Sequence, residues 1–401
     1  MEKVYIIAAK RTAIGKMLGS LTGVSPADLA TVVIKNILEE TRLDPSLIDE
    51  VIVGNILMAG QKQGIARQAS INAGIPDSVP AYGVNMICGS GMKSIINGYE
   101  SILCGHARII LAGGVENMSS AGFVLQGVRE GIKMGDFKAV DHMVTDGLTD
   151  AFGNYHMGIT AENIAEKYNI TREQQDAFAF ASQQKAINAI DAGKFKDEIV
   201  PVTIRRKKES VEFDTDEYPN RNTTLEKMGT LRPAFKKDGT VTAGNSSGIN
   251  DGASFVLLAS EQAVNELGLK PMAQIVATGQ AGVNPAYMGM GPVPAVDKAL
   301  KRAGMSLLQM DLVELNEAFA AQSLGVMHEL QQQQGVDREW FNAHCNVNGG
   351  AIALGHPIGA SGNRITVTLL YEMKKRGSTY GLASLCIGGG MGTALILRNL
   401  Q

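Results

Sequence analysis

Two stretches of the chain match each other at long range. "DEVIVGNIL" begins at Asp49 and "DLVELNEAF" at Asp311, an offset of 311 − 49 = 262. Each is a β-rich run introduced by a short polar turn and a helix-like stretch, Ala27 to Arg42 in the first case and Ala295 to Ala303 in the second. "VNMICGSG" from Val84 and "VNGGAIALGHPIGASG" from Val347 repeat the relation at 347 − 84 = 263. Each leads through a helical pattern to an apolar strand with trailing glycines, "RIILAGGVENMS" from Arg108 and "YGLASLCIGGGMG" from Tyr380. Matched landmarks at a nearly constant offset restrict the fold more tightly than any composition does. They predict two similar βαβ-containing halves, stacked as an α/β sandwich.

The middle of the chain interrupts this repeat. From about Ala121 to about Gly248 the sequence is polar and irregular, with "KMGDFKAVDHM", the charged run "RRKKESVEFDTDEYPNRN" and the turn "KKDGT". One amphipathic helix is predicted within it, "TREQQDAFAFASQQKAINAI", with Thr171 and Gln174 as a capping box and Gly193 closing it after Ala192. The segment reads as an insertion, and its cluster Arg205 to Lys208 as a solvated surface turn.

Several function classes drop out on charge and cysteine usage. Lys and Arg total 37 against 40 Asp and Glu, so no global basic field draws in nucleic acid or an anionic membrane. Any anionic ligand must be held locally. The four cysteines, at 88, 104, 345 and 386, form no C-x-x-C pair and no zinc spacing with His, and they are too few for a disulfide framework. No H-x-x-x-H or carboxylate cluster supports a metal hydrolase, so no metal site is expected. Only six consecutive apolar residues, Val4 to Ala9, precede Lys10, too short for a signal core or a membrane span. A cytoplasmic protein with free thiols is the expectation.

Four segments carry chemistry. Cys88 lies after a predicted strand and before a helical pattern with apolar residues at Met92, Ile95, Ile96 and Tyr99. A helix start favours a thiolate and can lower a cysteine pKa to roughly 3.5–7.5, while Gly89 and Gly91 would admit a ligand or another backbone. The competing reading is an inert, packed thiol. In "GHPIGASG", Pro357 stiffens the turn that presents His356, either to a reaction or to a nearby carbonyl. "SLCIGGGMG" sets Cys386 at a strand end before Gly388, Gly389 and Gly390, whose bare N–H groups suit a reacting oxygen. "ELNEAFA" places Asn316, Glu317 and Phe319 beyond a buried strand, where α/β ligand sites lie.

Together with "GGVENMS", "TDGLTDAF", "HMGITAEN" and "LRPAFKKDGTVTAGNSSGINDGA", all in order and over essentially the whole chain, these segments resemble the thiolase family. Within it, "KMGDFKAVDHM" and "YHMGITAEN" look like the short-chain, acetoacetyl-CoA-forming branch. The resemblance implies a thiolase-like layered αβαβα sandwich. Residues 1–120 would form the N-terminal half, completed by about 249–271, with 121–248 the inserted loop domain and 272–401 the C-terminal half. It implies reversible Claisen condensation of two acetyl-CoA molecules to acetoacetyl-CoA and CoA, with CoA thioesters as substrates and no further cofactor.

The resemblance also implies roles. Cys88 would carry the acetyl group, with His356 taking its proton, and Cys386 would deprotonate the second acetyl-CoA. His356 and a water on Asn316 would meet the enolate, and the N–H groups of Cys88 and Gly388 the tetrahedral oxyanion. Ser247, Ala243, Gly244, Ala318 and Phe319 would line the pantetheine tunnel; His156, Met157 and Met288 would bound the acyl pocket. Arg221, in a "PNRN" stretch where relatives often carry a basic run, would serve the nucleotide end of CoA. A homotetramer is implied, with the segment before Asp146 as its tetramerisation loop. Two alternatives stay open: a degradative 3-ketoacyl-CoA thiolase of broader chain length, and a non-catalytic CoA- or lipid-binding descendant of the same fold.

Overall fold

Alternation along the strands sets the layering. In Glu50–Gly54, Val51 and Val53 face one apolar cluster and Ile52 another. In Ile109–Asn117, Ile109 and Leu111 share the first cluster while Ile110 and Ala112 share the second. Strands apolar on both faces need cover on both, and helices supply it. The computed structural model describes residues 2–131, 133–205 and 209–401.

The main sheet runs Ala81–Val84, Glu50–Gly54, Ile109–Asn117, Asn250–Ser260 and Val4–Thr12 in the first half. It continues as Ala273–Gly282, Met391–Asn399, Tyr380–Ile387 and Leu312–Leu315 in the second. Among the described residues, only Tyr5–Gln274 and Ile6–Ala273 pair the two halves across their shared edge. Each half is parallel at its outer end and antiparallel toward the join. Even the turn chemistry repeats. Asp49 Oδ2 accepts the N–H groups of Arg108 and Ile109 at 2.7 and 2.9 Å, and Asp311 Oδ2 those of Thr379 and Tyr380 at 2.6 and 3.0 Å.

Between the two halves lie the helices Ser90–Leu103 and Ser361–Arg376. Met92, Ile95 and Ile96 of the first share one buried cluster with Ile365, Leu369 and Leu370 of the second and with strand residues of both halves. The helix Pro26–Thr41 covers the outer face of the first half, and Pro292–Ala303 that of the second. The result is the sandwich of two similar halves expected from the repeat, in the five-layered αβαβα form implied by the resemblance.

The offset itself needs correction. The central helices are related by 361 − 90 = 271, and the strands that follow them by 380 − 109 = 271, eight more than the 263 of the preceding landmark. Those eight extra residues lie in the second half's loop, which holds the short helix Ala351–Leu354 and His356. A second correction concerns the glycines around Cys88. A Cβ at Gly91 would stand 2.8 Å from the Gly359 oxygen and 2.9 Å from the Asn363 nitrogen, and one at Gly362 would stand 2.6 Å from the Met92 nitrogen. A Cβ at Gly89 would meet Ile387 at 2.4 Å. Gly91 and Gly362 thus let the two central helices touch backbone to backbone, the second of the two expectations, while Gly89 makes room for the Ile387 side chain and not for a ligand.

Within the insertion, the helix Arg172–Asp191 has the expected capping box at Thr171 and Gln174 and is closed by Gly193 at φ +67°. Its buried face is not apolar, as an amphipathic reading requires, but small and polar: Gln175, Asp176, Ala179, Ser182, Gln183 and Ala186. The reason is its neighbour, since Ser182 donates to Glu317 at 2.6 Å and Asp176 accepts from Asn245 at 2.8 Å. A hairpin of Phe123–Leu125 and Ala139–Asp141 leaves Phe123, Met134 and Phe137 exposed. Arg205 ends the strand Val202–Arg205 and is exposed; Arg206, Lys207 and Lys208 lie outside the described residues. Among the described residues no helix is long and apolar enough to cross a membrane.

Candidate active site

Cys88 sits on a tight turn between Ala81–Val84 and the first central helix. Asn85 Oδ1 accepts the Ile87 N–H at 3.2 Å; Ser90 Oγ accepts the Met86 N–H at 2.8 Å and donates to the Ile87 carbonyl at 2.7 Å. Ile87 is held at φ +46°, a conformation that β-branched residues rarely adopt. Such strain persists only where its surroundings over-determine it, and here it turns the next side chain, Cys88, toward a cavity of about 400 Å³.

The thiol is not acidic, contrary to the expectation from a helix start. Burial pushes Cys88 up to about 11, and the charge of Glu116 adds to this, against the N–H groups of Gly388 and of Cys88 itself. The first turn has little to offer the sulfur. The Gly89 N–H is bonded to the Met86 carbonyl and the Ser90 N–H to the Ile87 carbonyl, both at 3.0 Å. In the free protein Cys88 is a neutral thiol that requires a base.

His356 lines the same cavity and carries a basic nitrogen. Its backbone N–H donates to Asn250 Oδ1 at 2.9 Å, and its Nδ1 lies 2.6 Å from Ser361 Oγ. The single hydroxyl proton of Ser361 goes to the Pro357 carbonyl at 2.9 Å, so Ser361 accepts from Nδ1–H. Nε2 is therefore the basic nitrogen, with Asn316 Nδ2 3.5 Å away. Burial, reinforced by the Arg364 charge, pushes the imidazole down to about 3 and keeps it neutral. The sign of the resulting pH dependence follows. The unfolded chain takes up this proton near pH 6.5, the folded chain only near 3, so the stability due to neutral His356 is fully present above 6.5 and is lost as pH falls toward 3. Between pH 7 and pH 5 the unfolding free energy of the wild type should therefore drop by about 2 kcal/mol more than that of His356→Asn, measured by urea titration.

Cys386 ends the strand Tyr380–Ile387, where burial and then the neighbouring Cys88 push its pKa higher still. Ile387 pairs with Met391 across a three-residue loop in which Gly389 and Gly390 take φ +84° and +86°. A Cβ on Gly390 would also sit 2.4 Å from the Val283 oxygen, so two glycines are obligatory. This loop aims the Gly388 N–H at the Cys88 sulfur.

Asn316 follows the strand Leu312–Leu315 and is fixed by its N–H to the Ser384 carbonyl at 3.0 Å; its buried Oδ1 has no protein partner. Glu317 bonds to Ser182 and Asn346 and so braces the loop from behind. The Ser247 N–H donates to the Ala318 carbonyl at 2.9 Å, and Ser246 bridges Phe319, which ties two cavity walls together.

The cavity thus gathers Cys88, His356, Cys386 and Gly388 with His156, Met157, Met288, Ala243, Ser247, Ala318 and Phe319. Asn316 reaches it through His356. Gly244 and Arg221 lie instead in an adjoining groove of about 670 Å³ that shares Tyr218 and Ala243 with the cavity and also contains Lys16 and Lys227. Arg221 is bound there by both oxygens of Asp191, at 2.9 and 2.5 Å. Among the described residues no group of acidic, His and Cys side chains could hold a metal ion.

Some site residues escaped the sequence reading. Phe235 stacks on His156 with ring centroids 4.6 Å apart and meets Phe319 edge-on at 6.1 Å, and Leu148 and Tyr218 complete the wall. Ser361 had a usable signal, because it is the counterpart of Ser90 once the offset of 271 is applied. Phe235 and Tyr218 had none.

A doubled βαβ sandwich with two thiols, the neutral imidazole of His356 and a glycine-loop N–H on a single cavity defines a class of enzyme working through a nucleophilic cysteine. The chain belongs to the thiolase family: the family model described as "Thiolase, N-terminal domain" matches residues 4–262 and "Thiolase, C-terminal domain" matches 269–399. It is 56% identical over 398 residues to "Acetyl-CoA acetyltransferase" of Pseudomonas aeruginosa, covering 99% of each chain. The crystal structure of the Bacillus anthracis acetyl-CoA acetyltransferase is 44% identical with a TM-score of 0.95, over 100% of this chain and 99% of that one. Human mitochondrial 3-ketoacyl-CoA thiolase in complex with CoA is also 44% identical, at a TM-score of 0.93 over 100% and 98%.

Proposed function

We propose that this chain is an acetyl-CoA C-acetyltransferase, joining two acetyl-CoA molecules reversibly into acetoacetyl-CoA and CoA through an acetyl-Cys88 intermediate. The observation that carries the reading is the convergence of Cys88, His356 and Cys386 on one cavity, with the Gly388 N–H directed at the Cys88 sulfur. Cys88 Sγ attacks the thioester carbonyl while its proton passes to His356 Nε2, which returns it to the departing CoA sulfur. Cys386 next passes its own proton to the freed His356 on the same cavity and, as thiolate, takes one from the α-carbon of the second acetyl-CoA. The enolate oxygen is met at His356 and at the Asn316 side chain, whose unpartnered Oδ1 supports the expected water there. Attack on the acetyl carbonyl forms a carbon–carbon bond and breaks the bond to Cys88; the proton held on His356 ends on the released Cys88 sulfur, and Cys386 keeps the α-proton, so both thiols are restored. The N–H groups of Cys88 and Gly388 serve the tetrahedral oxyanion, where one donor contributes about 2.7–4 kcal/mol.

Ser247, Ala318 and Phe319 suit the pantetheine arm because they line the cavity, which adjoins the second groove at Tyr218 and Ala243. Lys16, Arg221 and Lys227 place three cations in that groove for the phosphates of CoA, and Arg221 would exchange Asp191 for phosphate. We further read the protein as a cytoplasmic homotetramer, supported by four unpaired cysteines and by the exposed apolar side chains of the Phe123–Asp141 hairpin.

Brief exposure to acetyl-CoA followed by peptide mass spectrometry tests the mechanism: one acetyl group is expected on Cys88, and label elsewhere or none overturns it. The second reading, a thiolase of longer 3-ketoacyl chains, draws on the human mitochondrial relative. Met157, Met288 and Leu148 crowd the inner cavity, so thiolysis of acetoacetyl-CoA is expected to exceed that of six- and eight-carbon 3-ketoacyl-CoA. Faster turnover of the longer esters would decide for the second reading.

A further inference from the structure

Glu116 is fully buried at the end of the strand Ile109–Asn117 and takes no part in the chemistry above. Its carboxyl is surrounded by four donors. Oε1 accepts from Asn55 Nδ2 at 2.8 Å and the Leu57 N–H at 3.0 Å; Oε2 accepts from the Ile56 and Gly359 N–H groups, both at 3.1 Å. Three of these donors belong to the loop that leaves the strand Glu50–Gly54 in the first half. The fourth belongs to the second half's loop, three residues after His356.

Both loops bear on the reacting atoms. Ile56, Leu57 and Ile358 form one small apolar cluster with Met118 and Met143, and Ile87 and Cys88 pack against it. Gly359 is pressed onto the end of the Glu116 strand so closely that a Cβ at Gly114 would stand 2.1 Å from its oxygen. The only other polar tie from the first half to the His356 loop named above is the Asn250 bond to the His356 N–H. We propose that Glu116 is a positioning residue, a carboxylate clamp that joins the loop beneath Cys88 to the loop bearing His356 and so sets the distance over which the thiol proton moves.

The inference rests on Cys88 being the acylated thiol and His356 its base. Burial pushes the Glu116 carboxyl up to about 8, while the N–H donors pull it back. All four hydrogen-bond neighbours are donors, so the ionised form is the one this cradle satisfies. A glutamine of the same size would leave its NH2 facing two of the four N–H groups, opening the clamp without emptying the space.

The test is single-turnover acylation of the full-length enzyme at pH 8.5, with acetoacetyl-CoA as acyl donor and quenched samples read by mass spectrometry. For Glu116→Gln, acylation of Cys88 is expected to slow by about 10–100-fold, as a displacement of the order of 1 Å does. The KM for acetoacetyl-CoA should stay within about threefold, because substrate is held elsewhere. Acylation within twofold of wild type, or a KM that rises in step with the loss, would overturn the proposal. Should Glu116→Gln not fold, Asn55→Ala removes one donor and keeps the carboxylate. It is expected to slow acylation by about threefold at constant KM, and an unchanged rate would equally overturn the clamp. A wild-type enzyme that takes no acyl group on Cys88 would instead fail the underlying mechanism.

Discussion

With Cys88→Ser, kcat/KM for thiolysis of acetoacetyl-CoA is expected to fall by at least about 10⁴-fold, the loss that follows removal of a nucleophile from a coupled catalytic set. The substitution changes one atom and leaves the turn intact, since the Ser90 bonds to Met86 and Ile87 hold the backbone. What it removes is a polarizable sulfur. His356, depressed to about 3, is a weak base, and a hydroxyl, less acidic than a thiol, gives up its proton to it still less readily. Steady-state rates with acetoacetyl-CoA and CoA check this. A variant keeping a tenth of wild-type activity would mean that another group carries the acyl chain.

The second large effect separates the two sulfurs. For Cys386→Ala, acetylation of Cys88 from acetyl-CoA is expected to persist at one group per chain, while formation of acetoacetyl-CoA falls by about 10²–10⁴-fold, the range for loss of a general base. Cys386 lines the cavity two residues before Gly388, whose backbone N–H is directed at the Cys88 sulfur, so truncating the Cys386 side chain removes no donor of the first half-reaction. Intact mass after an acetyl-CoA pulse and a coupled assay for acetoacetyl-CoA read the two halves separately. Loss of both together would assign Cys386 to acylation instead of carbanion formation.

Much of this was legible in the chain because a repeat spells the same pattern twice. Asp49 and Asp311 each accept two N–H bonds from a strand start about 60 and 70 residues further on, so the matched "DEVIV" and "DLVEL" runs were visible while their partners were not. The capping box at Thr171 was legible for a different reason: it is settled within four residues. The buried face of the Arg172–Asp191 helix was not, because its polarity answers Glu317 and Asn245, far away in sequence. The glycines of "CGSG" were visible but their purpose was not. Sequence shows that a side chain is absent, and only the helix crossing at Gly91 and Gly362 shows what fills the space.

Spacing showed the doubled βαβ architecture, and local wrapping singled out Cys88, His356 and Cys386 as candidates whose roles came from the resemblance to the thiolase family. Their protonation came from tertiary structure alone. A helix start argues for a thiolate, yet burial together with N–H groups already spent inside the turn leaves Cys88 at about 11. The imidazole's free nitrogen is likewise fixed by Ser361, whose proton is committed to Pro357. Local sequence sets which groups can react and which turns present them. Desolvation and the direction of each proton depend on everything packed around those groups, so only the folded chain decides them.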